Sequence, residues 1–223
     1  MNRTDDGAPT RRRPGRPRKA QAGNTKEELT RAAVRLFSRN GFEGTSIRAI
    51  AREVGLSESV LYAHFENKRA IFDAVIARYG PTDSARALDR VDHDLMDVDP
   101  SQFLTQLVGA FLDDWDRDDA RTLISLVTRD GLLHSESLRT ALTGTSEYAT
   151  ALFSTWLGAG WIPEHLGPAD RLAYSFTGPI GLARVLHLHA DADSAERAQA
   201  RSDVLRHVEL FAAAVFRDHG RRP

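Results

Sequence analysis

The stretch from Ile47 to Phe65 holds residues whose types and spacing suit contact with nucleic acid. Ala51 and Gly55, four apart, are the small residues needed where two helices approach closely and the chain turns sharply between them. Beyond the turn, Ser57 can cap a short helix that buries Leu61 and Phe65 and therefore turns Glu58, Ser59, Tyr62 and Ala63 outward. A helix presented this way can enter the major groove of double-stranded DNA, where donors and acceptors meet base edges. A plain helical hairpin would carry the same turn.

A second candidate lies upstream. Arg13-Pro14-Gly15-Arg16-Pro17-Arg18-Lys19 resembles an AT-hook. In such a segment Gly permits close approach, Pro keeps the chain extended, and Arg16 and Arg18 would reach into a narrow A·T-rich minor groove. A non-specific polybasic tail is the alternative. Charge is distributed accordingly: residues 1–78 hold 16 Lys/Arg against 9 Asp/Glu, whereas the rest of the chain holds 14 against 22. A basic N-terminal third on an acidic body fits one region meeting a polyanion while the other does something else.

Other clusters carry less. His187 and His189, followed by Asp191 and Asp193, lack a spaced partner for a metal. Asp92, Asp94, Asp97 and Asp99 lack the turn Gly and closing Glu of a calcium loop. No nucleophile elbow, zinc-protease, P-loop or dinucleotide fingerprint occurs, and the absence of Cys excludes disulfides and thiolate chemistry. No enzyme activity, cofactor or metal is expected. The longest uncharged stretch, Tyr148 to Pro163, is shorter than the roughly 20 apolar residues of a membrane span. No apolar segment follows the N-terminal Arg cluster, so the expectation is a cytoplasmic protein without a membrane partner.

The elements that must position these residues are helical throughout. Residues 1–23 have no hydrophobic period and form an expected disordered basic arm. Thr25 and Glu28 make a capping-box pattern, after which Leu29, Ala32, Ala33, Leu36 and Phe37 repeat at helical spacing up to a stop at Gly41. Ser46, Ser57 and Asn67 can cap three further helices, the last ending at Gly80. The spacing therefore predicts a helix-turn-helix DNA-binding domain over 24–80. An acidic, partly helical connector over 81–100 leads into further helices, so 81–223 is expected to form an all-helical domain, to which the family resemblance described below adds a regulatory and dimerisation role. Nothing there alternates with a strand's period. The fold class is all-α: an N-terminal three-helix helix-turn-helix unit, its fourth helix completing the packing, plus a larger helical domain.

Read together, residues 25–78 closely resemble the N-terminal domain of TetR-family transcriptional regulators, in the run GFEGTSIRAIAREVGLSESVLYAHFENKRAIFDAVI. The likeness rests on Gly41-Phe42, Thr45-Ser46, Ile50-Ala51, Val54-Gly55, Leu61-Tyr62, His64-Phe65 and Lys68, about a quarter of the chain. It implies a homodimer on a near-palindromic operator in double-stranded DNA. It also implies a helical domain that holds a small apolar or amphipathic effector, with release from DNA when that effector binds. Carried over by position, Thr45, Ser46, Tyr62 and Lys68 would contact phosphates, and Arg48, Ser57, Glu58, Ser59 and Ala63 would read bases. Glu58 departs from the family's frequent Lys or Gln, and Val60 from its usual Thr. His64 would either contact DNA or pack between helices.

Phe111, Trp115, Tyr148 and Trp156 are the aromatic candidates for lining an effector cavity. The dimer face is expected on the last two helices, where Val204, Val208, Phe211 and Val215 would form half of a four-helix bundle and Gly178 and Gly181 would allow close approach beside Pro179. That stripe could equally be internal core. A repressor is the main functional expectation. A TetR-like activator, an architectural DNA-binding protein without operator preference, and an enzyme with an appended DNA-binding domain are the alternatives.

Overall fold

The computed structural model describes residues 19–80 and 87–216, with side chains from residue 24 onward. Among these residues there is no strand. The first four helices are α1 (Lys19–Gly44), α2 (Ile47–Glu53), α3 (Glu58–Tyr62) and α4 (Lys68–Tyr79). A short α5 (Leu95–Val98) leads to α6 (Pro100–Trp115), α7 (Asp118–Arg129), α8 (Glu136–Gly158), α9 (Ala169–His187) and α10 (Ser194–Val215). The all-α expectation holds.

Local chemistry explains most boundaries. Ser46 and Asn67 cap α2 and α4, accepting hydrogen bonds from the amides of Ala49 and Ala70. Gly41 breaks α1 with φ 77°, and Gly55 turns the chain between α2 and α3 with φ 70°, values that disfavour a side chain. The start of α1 differs from expectation: the helix begins at Lys19 instead of Thr25. Lys, Ala and Gln are strong helix formers, so Lys19 to Ala22 extend the helix and the single Gly23 is tolerated. The remaining arm, with Arg16 and Arg18, lies outside the described residues. Pro179 does not interrupt α9, which runs through it.

The buried residues form two clusters. The first gathers Leu29, Phe37, Ile50, Leu61, Ile71 and Phe72 from α1 to α4, with a ring triad of Phe37, Phe42 and Phe72 at centroid distances of 5.2–6.4 Å. It does not stop at Gly80. Leu123, Leu126 and Val127 of α7, with Leu138 and Ala141 of α8, complete it. A polar clasp reinforces the joint: the Arg129 guanidinium donates to the carbonyls of Phe37 and Ser38, and the Phe42 amide donates to Asp130 Oδ2 at 2.7 Å.

The second cluster joins α6, α8, α9 and α10 around Phe103, Phe153, Trp156 and Phe176. The stripe expected to form the dimer face belongs to it. Val204, Val208 and Val215 are buried, and Phe211 packs its ring 5.7 Å from Phe153 and 5.1 Å from Phe176. That stripe fills the subunit's own interior. The apolar side chains left outside on these two helices are Tyr174, Leu182 and Leu186 of α9 and Leu210 of α10, between 51% and 75% exposed.

Candidate nucleic-acid interface and apolar cavity

Helix α3 is short and stands proud of the N-terminal core, anchored by Leu61 and, just beyond its end, Phe65. Tyr62 is 52% exposed, and Ser59 and Ala63 are exposed beside it. Ser57 makes no side-chain cap hydrogen bond; its hydroxyl lies 2.8 Å from that of Ser59. Glu58, expected among the base readers, is engaged within the head. It accepts a 2.6 Å hydrogen bond from Arg48 Nε, an ion pair that ties α3 to α2. The hydrogen bond to Glu58 and the charge of that carboxylate hold the Arg48 pKa above its ordinary value.

The positions expected to touch phosphate divide. Ser46 is exposed; its oxygen is taken by the cap, which leaves its O–H to donate outward. Thr45 is a correction. It is 2% exposed, and its hydroxyl is within 2.8 Å of the Gly41 carbonyl and 3.1 Å of that of Leu36. Its side chain fastens the end of α1 and cannot reach a phosphate. Lys68 is also partly committed: Nζ donates to the carbonyls of Phe42 at 2.8 Å and Glu43 at 3.3 Å and sits 4.5 Å from the Phe42 ring centre. His64 is half-buried at the end of α3.

Below α4, a cavity of about 250 Å³ opens among α6, α7, α8 and α9. Phe111, Trp115 and Tyr148 line it. Trp156 does not. It is 1% exposed, donates its indole N–H to the Met96 carbonyl at 2.9 Å and packs edge-on against Phe103, Phe153 and Phe216. The wall is mainly apolar, and burial raises the Tyr148 phenol above its ordinary value, so it remains a donor. Leu123, Val127 and Leu138 belong at once to this wall and to the N-terminal core.

Sequence reasoning missed the charged residue of the cavity wall, Arg184, a single charge inside the apolar run Ile180 to Leu186. It is only 7% exposed and lines the cavity wall. Its guanidinium lies 4.6 Å from the Trp115 ring centre, and Nη2 donates to the Tyr79 carbonyl at 3.3 Å. Burial lowers its pKa to about 10, which leaves it cationic at neutral pH. Of the residues set aside, His187 pairs with Glu196 at 3.0 Å, and among the described residues no cluster could hold a metal ion. No described helix is long and apolar enough to cross a membrane.

The helix-turn-helix head is thus joined to a helical body with an internal apolar cavity. The family model described as bacterial regulatory proteins, tetR family, matches residues 29–75, which are the N-terminal head. Among curated relatives, the regulator YerO of Bacillus subtilis is 28% identical over 114 residues, 51% of this chain and 39% of YerO. The transcriptional repressor NicS of Pseudomonas putida is 34% identical over 100 residues, 44% of each chain. The chain thus matches less than half the length of these relatives. Among solved structures, SmeT, the repressor of the Stenotrophomonas maltophilia multidrug efflux pump SmeDEF, superposes with a TM-score of 0.69. The superposition covers 91% of this chain and 95% of SmeT at 16% identity, and SmeT has also been solved in complex with triclosan. The likeness therefore extends through the second region's fold.

Proposed function

We propose that the chain is a homodimeric, cytoplasmic transcriptional regulator that represses by occupying a near-palindromic operator and leaves it when a small amphipathic molecule enters the cavity. The observation that carries this reading is the pairing of an outward α3, held in register by the Arg48–Glu58 bridge, with a cavity whose wall shares Leu123, Val127 and Leu138 with the head's own core. A ligand that displaces this wall acts on the packing beneath α3. In the proposed contact set Ser46, Tyr62 and Lys68 hold phosphates, while Arg48, Ser57, Glu58, Ser59 and Ala63 face base edges. The Arg16 and Arg18 arm adds minor-groove contacts. The repressor name of NicS and the triclosan complex of SmeT favour repression and small-molecule control.

For the dimer face we take Tyr174, Leu182, Leu186 and Leu210, which would lie in the open without a second copy. Gly178 and Gly181, whose added Cβ would meet nothing within 4 Å, leave the backbone of α9 open to close approach.

Selection of fragments bound by the full chain from random DNA, without effector, tests the reading. The expected result is a palindromic motif with half-sites about one helical turn apart. Binding that random DNA competes away equally well would replace it with the architectural alternative. Removing residues 1–18 should weaken operator binding and lower the salt slope by roughly 0.9 for each lost phosphate contact.

A further inference from the structure

We propose that the cavity selects a carboxylate-bearing amphiphile, its carboxylate held by Arg184 and its apolar body by the Phe111–Trp115 wall. The inference rests on the effector role given above to this cavity and specifies the chemistry of what enters it.

The argument turns on unmet hydrogen bonding. Arg184 is buried, yet no carboxylate lies within ion-pairing distance of it among the described residues. Nη2 has the Tyr79 carbonyl, but Nη1 has no partner among the described residues. One face of the guanidinium is covered by Trp115. A buried donor without an acceptor is costly, and a buried cation without a counter-charge more so, which leaves this group strongly favourable to an incoming anion. Two threonines of the same wall make no such demand. The hydroxyls of Thr145 and Thr177 donate back to the Ala141 and Ala173 carbonyls of their own helices.

The anion should be small and singly charged. One unpartnered guanidinium nitrogen, on a residue of a mainly apolar wall, matches a carboxylate by charge-assisted hydrogen bonding, whereas a phosphate dianion would keep most of its acceptors unmet. At interior packing density, 250 Å³ hold a ligand of roughly a dozen non-hydrogen atoms, the size of a medium-chain or aryl carboxylic acid. The same guanidinium touches the last residue of α4, so an anion that draws it away from the Tyr79 carbonyl alters the end of a helix of the DNA-binding head.

Octanoate and 1-octanol share a chain and differ in the head group, and both can be titrated into the full-length protein by calorimetry with Trp115 fluorescence as a second signal. Octanoate should bind at least about tenfold tighter than 1-octanol. Arg184→Met, checked for folding by circular dichroism, should erase or reverse that preference, and Arg184→Lys should recover part of it. Equal or tighter binding of 1-octanol by the wild-type protein, which needs no variant to fold, overturns the anion assignment and leaves the cavity's effector role intact. An octanoate affinity unchanged in Arg184→Met also overturns it. If neither compound binds, both the assignment and the amphiphile reading of the cavity fall. Operator binding, measured separately, is untouched by any of these outcomes.

Discussion

The two buried clusters are both rich in Phe and Leu, yet they are filled differently. In the N-terminal head the Phe37, Phe42 and Phe72 rings close on each other, and residues such as Leu29, Ile50 and Leu61 have no exposed surface. In the second region Phe153, Phe176 and Phe211 form a comparable cluster, but beside it the helices leave space, lined in part by Arg184, which has no counter-charge among the described residues. Close packing holds α3 in one geometry, as groove recognition requires. The looser region gives up dispersion contacts along the cavity wall, and those lost contacts are what a ligand can restore.

Substitutions that remove the same side chain from each region should separate the two most strongly. Phe72→Ala, inside the ring triad, should cost about 3–5 kcal/mol in chemical denaturation. Phe111→Ala, on the cavity wall where one side already lacks neighbours, should cost no more than about 2 kcal/mol. Equal losses would mean that the second region is as tightly filled as the head. On the outer surface, Leu210→Glu should weaken self-association by about a hundredfold, because a charge would enter the proposed interface. Sedimentation at micromolar concentration reads this, and an unchanged dimer would place the interface elsewhere.

The clasp between the regions gives a smaller, pH-dependent effect. Partial burial of Asp130 opposes its charge, but the hydrogen bonds from Arg129 and the Phe42 amide outweigh it and hold the carboxyl below its ordinary pKa. A depressed folded-state pKa contributes stability above the unfolded value near pH 4, lost as pH falls through the folded one. Asp130→Asn should cost about 1–2 kcal/mol at neutral pH and flatten the acid limb of the stability curve. Smallest in stability is Glu58→Gln: the bridge to Arg48 is exposed, so the melting temperature should not move. The bound motif recovered from random DNA should change instead, since both partners are released toward the groove. An unchanged motif would remove this pair from base recognition.

Much of the head was legible because its signals are local. Ser46, Asn67, Gly41 and Gly55 act through neighbours one to four residues away, and the helical periods of α1 and α4 bury the residues that pattern analysis selects. The departures depend on three-dimensional context. Thr45 has suitable chemistry for phosphate, but its hydroxyl is turned to carbonyls of α1. On α10 the strongest apolar stripe faces the subunit interior, while the outward set is sparser: Tyr174, Gly178, Leu182 and Leu186 recur every fourth residue on α9, a weak row that becomes visible only beside Leu210. Trp156 and Trp115 are indistinguishable as residue types, and only packing separates the buried one from the cavity wall. The Arg129–Asp130 clasp joins positions some ninety apart, beyond any local pattern.

The continuation of the head's core into α7 and the start of α8 bears on chimeras. A transplant cut at Gly80 would carry the reading helix to a new host but leave Leu123, Leu126 and Val127 behind, stripping the donor fragment of one side of its packing and giving the recipient a mismatched seam. The transferable module must include the matching surface of α7, or that surface must be redesigned with it. The head and the cavity-bearing body of this molecule are therefore not freely interchangeable parts.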